Sequence, residues 1–573
     1  MSNPLQPVID ISAICFRLGI NDAVISPGSR SAPITLSFAR HPEIKTHIIP
    51  DERTAGFTGL GIAQATGRPV VLVCTSGSAA YNFAPAVAEA YYQQIPLLVL
   101  TADRPPEWTD QHDGQTIRQQ EIFGRHVKKF FQWPVDLSHP DAAWQAHRSL
   151  CEAINISNAF PQGPVHINIP LREPFYPAEG EEYTYSKKLN VIEFWEGDKK
   201  LLFDRWRQLL IELSEYKKVL IIGGQHPHSR QLSTMVQELS SKIKIPVIAD
   251  IISNLHPVEG AITQHDAFLP VLSDQEKEAL RPELVISFGK SVISKNIKLY
   301  LRKYKPQAHW HIRSTDFVAD PFQSLTRILD ADVEHFFSGL INQYMPPQDS
   351  SYLERWQAAN KKATKTLTSF MKKIPYGEFQ AVYKLSQRME GKTRLHLANS
   401  MAVRYANFCN LKNAEKDIAV FANRGTSGID GCTSTAIGYA KCTKETVVLI
   451  TGDIAFFYDR NAFWQNELPA NLRIILLNNQ AGGIFRMIKG PADQPELEPY
   501  FETPHEMDAR KLAREYGLDH QLCQSKEELE KALSTFLDSG SRTRILEVCS
   551  ESASNAEIMQ TYKKALAKAF AGS

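Results

Sequence analysis

The sequence predicts an α/β protein built as three successive doubly wound, mainly parallel-sheet domains, and three observations carry that prediction. Short apolar runs that end in Gly, Ser, Asp or Asn recur from one end of the chain to the other. Most of these runs do not alternate apolar with polar residues, the pattern of strands buried on both faces. Helix-like segments separate them, as the crossovers between parallel strands require.

The first series of strands reads "DAVISPGSR", "THIIPDE", "PVVLVCTSG", "PLLVLTADR" and "GPVHINIP". A polar, irregular stretch over residues 177–200 follows and reads as a linker. The second series is "KVLIIGG", "IPVIAD", "ELVISFGK" and "HWHIRS", and the next crossing, near residues 340–375, ends in a Lys-rich helical segment. The third is "RLHLANS", "IAVFANRGTSG", "TVVLITGD", "LRIILLNN" and "RILEVCS". These series place the domains at residues 1–180, 200–340 and 355–573. The chain shows no low-complexity tract and no short repeat.

At 573 residues the chain is too long for one hydrophobic core. Its 43% hydrophobic and 22% charged content is that of a globular protein, and 64 basic against 63 acidic residues give no general attraction for nucleic acid or an acidic membrane. Anion recognition must therefore be local. The eight cysteines are scattered without C-x-x-C or metal-ligand spacing, so reduced thiols, a cytoplasmic setting and no structural zinc are expected. No apolar window reaches the length of a membrane span.

Chemistry concentrates at strand ends, where open α/β sheets collect ligands. Asp453 in "TGDIAFFYD" and Asn479 in "LLNNQAGG" each close an apolar strand, with 25 residues between them. Carboxylate, amide and carbonyl oxygens suit magnesium. A helix cap at Asp453 and a turn at "NN" are the plainer readings. Near the start, "IIPDERTAGFTGLGIAQATG" sets Asp51 and Glu52 between a strand and a Gly-rich helix. Either acid serves as a helix-start residue; a buried carboxylate otherwise demands compensation. "LIIGGQHPHSR" follows a strand but lacks G-x-G-x-x-G, which argues against a dinucleotide there.

The spaced "GD…NN" pair resembles the fingerprint of thiamine-diphosphate enzymes. That resemblance implies a metal, Mg2+ or Mn2+, held by Asp453, Asn479 and the main-chain oxygen of Ala481, although Ile454 stands where many members have Gly. It implies that Glu52 is the glutamate that shares a proton with the aminopyrimidine ring of thiamine diphosphate, and that Ile429 supports the bent cofactor. It further implies a first domain for the pyrimidine and a third for the diphosphate. In the family the two meet across subunits, so a homodimer or a dimer of dimers is expected, with Gly56, Gly59, Gly61 and Ala63 free to allow close approach there or within the domain.

"SPGSRSAP", "PDERTAGF", "TADRPPE", "GQTIRQ", "ANSMAVR", "NRGTSGIDG" and "GDIAFFYD" resemble one branch of that family, active in menaquinone biosynthesis. This branch decarboxylates 2-oxoglutarate and adds the succinyl unit 1,4 to isochorismate. By this likeness Ser400, Arg404 and Arg424 hold the part derived from 2-oxoglutarate, and Ser29, Arg30, Arg104, Gln115 and Lys295 orient isochorismate. Ile484 and Phe485 shape the apolar wall. Residue by residue, Arg30, Arg104 and Arg424 read equally as loop arginines, Gln115 and Lys295 as solvent-facing, Ser29 and Ser400 as turn or cap residues, and Ile429, Ile484 and Phe485 as core. The rival functions are an acetolactate-synthase-like carboligase or 2-oxo-acid decarboxylase, or a cofactor-binding protein without catalysis. The Arg-rich set argues against a pyruvate enzyme, which needs no second carboxylate clamp.

Overall fold

The computed structural model describes residues 5–177, 179, 182–313, 315, 317–344, 349–409, 411 and 417–571. Its strands are β1 (Asp22–Ile25), β2 (Lys45–Ile48), β3 (Val70–Cys74), β4 (Leu97–Asp103), β5 (Phe130–Gln132) and β6 (Pro164–Pro170) in the first sheet. The second sheet holds β7 (Val219–Gly223), β8 (Val247–Ala249), β9 (Leu284–Phe288), β10 (Ala308–Ile312) and β11 (Arg327–Leu329). The third holds β12 (Lys392–Leu397), β13 (Asp417–Ala422), β14 (Thr446–Gly452), β15 (Leu472–Asn478), β16 (Asp519–Cys523) and β17 (Arg544–Cys549).

Every pairing among these strands is parallel. The first sheet is ordered β2-β1-β3-β4-β6-β5 and the third β13-β12-β14-β15-β17-β16, the same winding used twice. The second runs β11-β10-β9-β7-β8. The central strands are buried along their whole length, as in β3, β4, β6 and β15. That is why they read as continuous apolar runs. One strand in each sheet escapes such a reading: β5, β11 and β16 are all edge strands, two of them only three residues long, and all mix exposed or half-buried with buried positions.

Residues 182–202 carry neither helix nor strand, in keeping with a linker. Residues 178, 180 and 181 of that stretch, Ser314 of "HWHIRS" and residues 345–348 of the next crossing lie outside the described residues. The Lys-rich segment forms the helix Ser351–Met371.

The glycines after Glu52 set how the first and third sheets meet. A Cβ on Gly59 would stand 2.4 Å from Leu72, so the helix Glu52–Thr66 lies close on its own sheet. A Cβ on Gly61 would stand 2.0 Å from the carbonyl oxygen of Thr435, and one on Gly438 2.1 Å from that of Thr58. This helix therefore crosses the helix Cys432–Ala440 of the third sheet backbone to backbone, within one chain. For Gly61 the close approach is thus neither between subunits nor within a domain. The second unit docks through Asn254, whose side chain accepts from the Val420 amide at 2.7 Å and donates to the Val420 carbonyl at 3.1 Å, pairing the outer edge of β13 as another strand would.

Candidate active site

β14 ends at Gly452, and Asp453, a buried residue only 2% exposed, begins the short helix Asp453–Tyr458. β15 ends at Asn478, whose side chain is consumed locally: it donates to Glu547 at 2.7 Å and to the Met507 carbonyl, and accepts from the Gln480 amide. That clamp leaves Asn479 to face the other way. Gln480 takes a left-handed conformation (φ 59°), which turns the chain back so that the Ala481 amide is shared by Asp453 Oδ2 at 3.2 Å and Asn479 Oδ1 at 3.0 Å. Two side-chain oxygens from different strand ends thus converge on one N–H, beside the Ala481 carbonyl. That carbonyl accepts from Gly483 at 2.9 Å and keeps a second lone pair.

Sequence reasoning missed two neighbours of this cluster. His505 places Nε2 3.5 Å from Asp453 Oδ2. Glu378, 1% exposed at the start of the helix Glu378–Arg388, accepts from Asn479 Nδ2 at 2.6 Å and from the Tyr405 hydroxyl at 2.9 Å. Burial, and then the nearby Asp453, push its carboxyl up to about 7 against the hydrogen bonds it accepts.

At the end of β2 the two acids divide their roles. Asp51 caps the helix, accepting from the Arg53 and Thr54 amides. Glu52 is half-buried and takes a hydrogen bond from Asn82 at 3.2 Å. Among the described residues no hydrogen bond or ion pair joins Glu52 to Asp453, Asn479 or Ala481 in the same chain.

The remaining first-domain residues lie at the same ends of the sheet. Arg30 is buried, donates to the Leu171 carbonyl at 2.8 Å and lies over the Phe175 ring; burial and then the charge of Arg104 lower its pKa. Arg104 pairs with Asp113 at 2.8 Å and reaches the Gly114 carbonyl, tying it to the loop that carries Gln115. Ser29, Gln115 and Lys295 are exposed on the single chain.

Arg404 and Arg424 form a second basic group, both half-buried, and among the described residues neither makes an ion pair. Arg404 donates to the carbonyl of Ser400, which takes a positive φ, and Arg424 donates to Asn399 Oδ1 at 2.9 Å. Burial lowers the pKa of both, with Arg424 the next cause for Arg404. Arg424 Nε is buried without a partner. Lys298, a turn beyond Lys295 on the helix Lys295–Lys303, adds a third cation that the sequence reading did not single out; burial and then Arg424 lower its pKa. Such a trio of cations with spare donors suits a carboxylate ligand.

The loop bearing Arg424 and Ile429 is held from the first unit. Glu89, buried in the helix Ala84–Gln93, accepts from the amides of Gly425 at 2.8 Å and Thr426 at 2.6 Å and from the Thr426 hydroxyl. Nothing near Glu89 in the sequence announces this, because its partners lie more than 330 positions away. Ile429, Ile484 and Phe485 are half-buried and not core. Phe485 packs against Phe501 with ring centroids 5.7 Å apart.

Comparison with known proteins gives the family of the chain. Residues 10–122 match the thiamine pyrophosphate enzyme N-terminal TPP binding domain, residues 202–397 the middle domain of thiamine pyrophosphate enzymes, and residues 405–548 the C-terminal TPP binding domain. The chain is 44% identical over 567 residues to 2-succinyl-5-enolpyruvyl-6-hydroxy-3-cyclohexene-1-carboxylate synthase of Cytophaga hutchinsonii, covering 99% of this chain and 100% of the relative. The proteins of the same name from Porphyromonas gingivalis and Flavobacterium psychrophilum are 39% and 38% identical. They cover 95% and 97% of this chain, and 94% and 98% of their own lengths.

Proposed function

Because the chain belongs to the thiamine pyrophosphate enzymes, and among them to the 2-succinyl-5-enolpyruvyl-6-hydroxy-3-cyclohexene-1-carboxylate synthases, we propose that Glu52 and the Asp453–Asn479–Ala481 cluster grip opposite ends of one thiamine diphosphate. The observation that carries this reading is the shared Ala481 N–H, which brings a carboxylate oxygen and an amide oxygen to one point. The donor set fits a hard cation, Mg2+ or Mn2+, that keeps phosphate or water in its remaining positions. Among the described residues no group of three or more His, Cys, Asp or Glu is placed to hold a metal ion.

When bound, the cofactor supplies the nucleophilic carbon that a 2-oxo acid needs to lose carbon dioxide. The protein supplies the rest. Glu52 holds a proton at the aminopyrimidine end, half-buried and freed from capping by Asp51. Arg404, Arg424 and Ser400 hold the part derived from 2-oxoglutarate through the carboxylate it retains, while Ser29, Arg30, Arg104, Gln115 and Lys295 orient isochorismate. Ile429 supports the cofactor, and Ile484 and Phe485 exclude water from the addition step. The reaction is a step toward menaquinone.

A homodimer or dimer of dimers completes the site. Exposed apolar side chains flank both motifs: Ile48 before Glu52, Tyr81 beside Asn82, Tyr458 at the end of the Asp453 helix, and Trp464. No helix among the described residues is long and apolar enough to cross a membrane, and all eight cysteines are free. A cytoplasmic setting accords with both.

Incubation with 2-oxoglutarate, isochorismate, magnesium and thiamine diphosphate tests the function. The expected product has the summed mass of the two acids less carbon dioxide. Formation of the four-carbon semialdehyde alone would instead mark a simple 2-oxo-acid decarboxylase, and absence of any turnover a non-catalytic binder.

A further inference from the structure

Glu378 stands out because the roles above do not use it. A carboxylate 1% exposed is costly unless its partners compensate it. Among the described residues Glu378 has no cation within ion-pair distance. Its compensation comes from the start of an eleven-residue helix, from the Tyr405 hydroxyl at 2.9 Å and from Asn479 Nδ2 at 2.6 Å. Its backbone amide donates to Asn555 Oδ1 at 3.1 Å, which fixes where the helix begins.

The consequence falls on Asn479. An amide side chain presents its oxygen or its nitrogen to a given direction, and only the oxygen can hold a cation. With Nδ2 drawn to Glu378, Oδ1 faces Asp453 and accepts from the Ala481 amide. The reverse orientation would set Oδ1 against the Glu378 carboxylate and N–H against N–H at Ala481. Tyr405, stacked on Phe379 with centroids 5.5 Å apart, keeps Glu378 from turning away.

We propose that Glu378, backed by Tyr405, is a positioning residue that holds the Asn479 amide with its oxygen turned into the metal cage. This rests on the reading of Asp453, Asn479 and Ala481 as that cage. Partners behind a metal ligand commonly control affinity in this way.

The test is titration of the full-length protein with Mn2+ at saturating thiamine diphosphate, with free Mn2+ read by electron paramagnetic resonance. Glu378→Met should weaken Mn2+ binding about 10- to 100-fold. Glu378→Gln should restore most of the affinity, because its Oε1 accepts the same N–H. Unchanged affinity in Glu378→Met overturns the proposal, and so does a Gln variant as weak as Met, which would assign the effect to charge. If Glu378→Met does not fold, Tyr405→Phe decides: it keeps the ring stacked and should also weaken Mn2+ binding, whereas wild-type affinity there overturns the proposal. A wild-type protein that takes up no Mn2+ would instead refute the cage itself.

Discussion

Asp51 accepts a hydrogen bond from Asn461 Nδ2 at 2.7 Å, joining the end of β2 to the third sheet across 410 positions of sequence. The same carboxylate caps the helix Glu52–Thr66 through its other oxygen. Structure and chemistry are thereby separated onto neighbouring residues. Arg53 reinforces the junction by donating to the Tyr458 carbonyl at 3.0 Å and lying over the Tyr458 ring.

The separation predicts opposite outcomes for the two acids. Glu52→Gln should leave thermal unfolding unchanged and cut turnover by about 100-fold or more, the usual worth of a positioned proton-transfer group. Asp51→Ala should lower stability by about 1 kcal/mol from the cap alone, with a further loss from the Asn461 bond. Near-normal turnover in Glu52→Gln would refute its proton-sharing role.

The extent to which this arrangement can be read from sequence follows the range of each interaction. Strands buried on both faces declare themselves by composition, whereas β5, β11 and β16 do not, because they are short or mix exposed and half-buried with buried positions and so leave no apolar run to read. The convergence of Asp453 and Asn479 is legible, since each closes an apolar strand at a recognisable interval. Glu378 is not, because an acid at a helix start looks the same whether it faces water or reaches Asn479 101 positions away. Glu89 and Lys298 share that silence. The glycines after Glu52 announce a close approach but not its partner, and "PDE" announces an acid without saying which of two caps the helix.

The glycine crossing predicts a stability effect that needs no ligand. Gly61→Ala would place a methyl 2.0 Å from the Thr435 carbonyl oxygen, an atom of helix backbone that cannot move aside alone. Overpacking of this kind costs about 1–3 kcal/mol. Gly197→Ala, which meets nothing within 4 Å, is the control and should unfold at the wild-type temperature. Equal melting temperatures for the two variants would contradict the backbone contact between the first and third sheets.

The two basic groups should be separable by kinetics. Arg404→Ala should chiefly raise KM for 2-oxoglutarate and Arg104→Ala chiefly KM for isochorismate, each by about 10- to 100-fold if a charge-assisted hydrogen bond is lost. The structure adds an order to these effects. Arg104 is already paired with Asp113 at 2.8 Å, whereas Arg404 makes no ion pair among the described residues, so Arg404 has more to give a ligand and its loss should cost more. Indistinguishable defects toward both substrates would undo the division into two carboxylate sites.

Acid sensitivity follows from histidines that the fold keeps neutral. Burial holds His396 down at about 3, against 6.5 for an ordinary histidine, and does the same to His166 and His256. Between those values the unfolded chain binds a proton that the folded chain refuses, so stability falls as pH drops from 6.5 toward 3. Each such group contributes a slope of about 1.4 kcal/mol per pH unit within that window. His396 stacks on Phe421 with centroids 5.0 Å apart, meets Tyr439 edge-on, and its Nε2 has no hydrogen-bond partner. His396→Phe therefore keeps the ring packing while deleting the titration. Urea unfolding at pH 6.5 and 4.5 should show the variant losing less stability than wild type by one proton's worth, and an equally steep loss would mean that His396 already carries a charge in the folded protein.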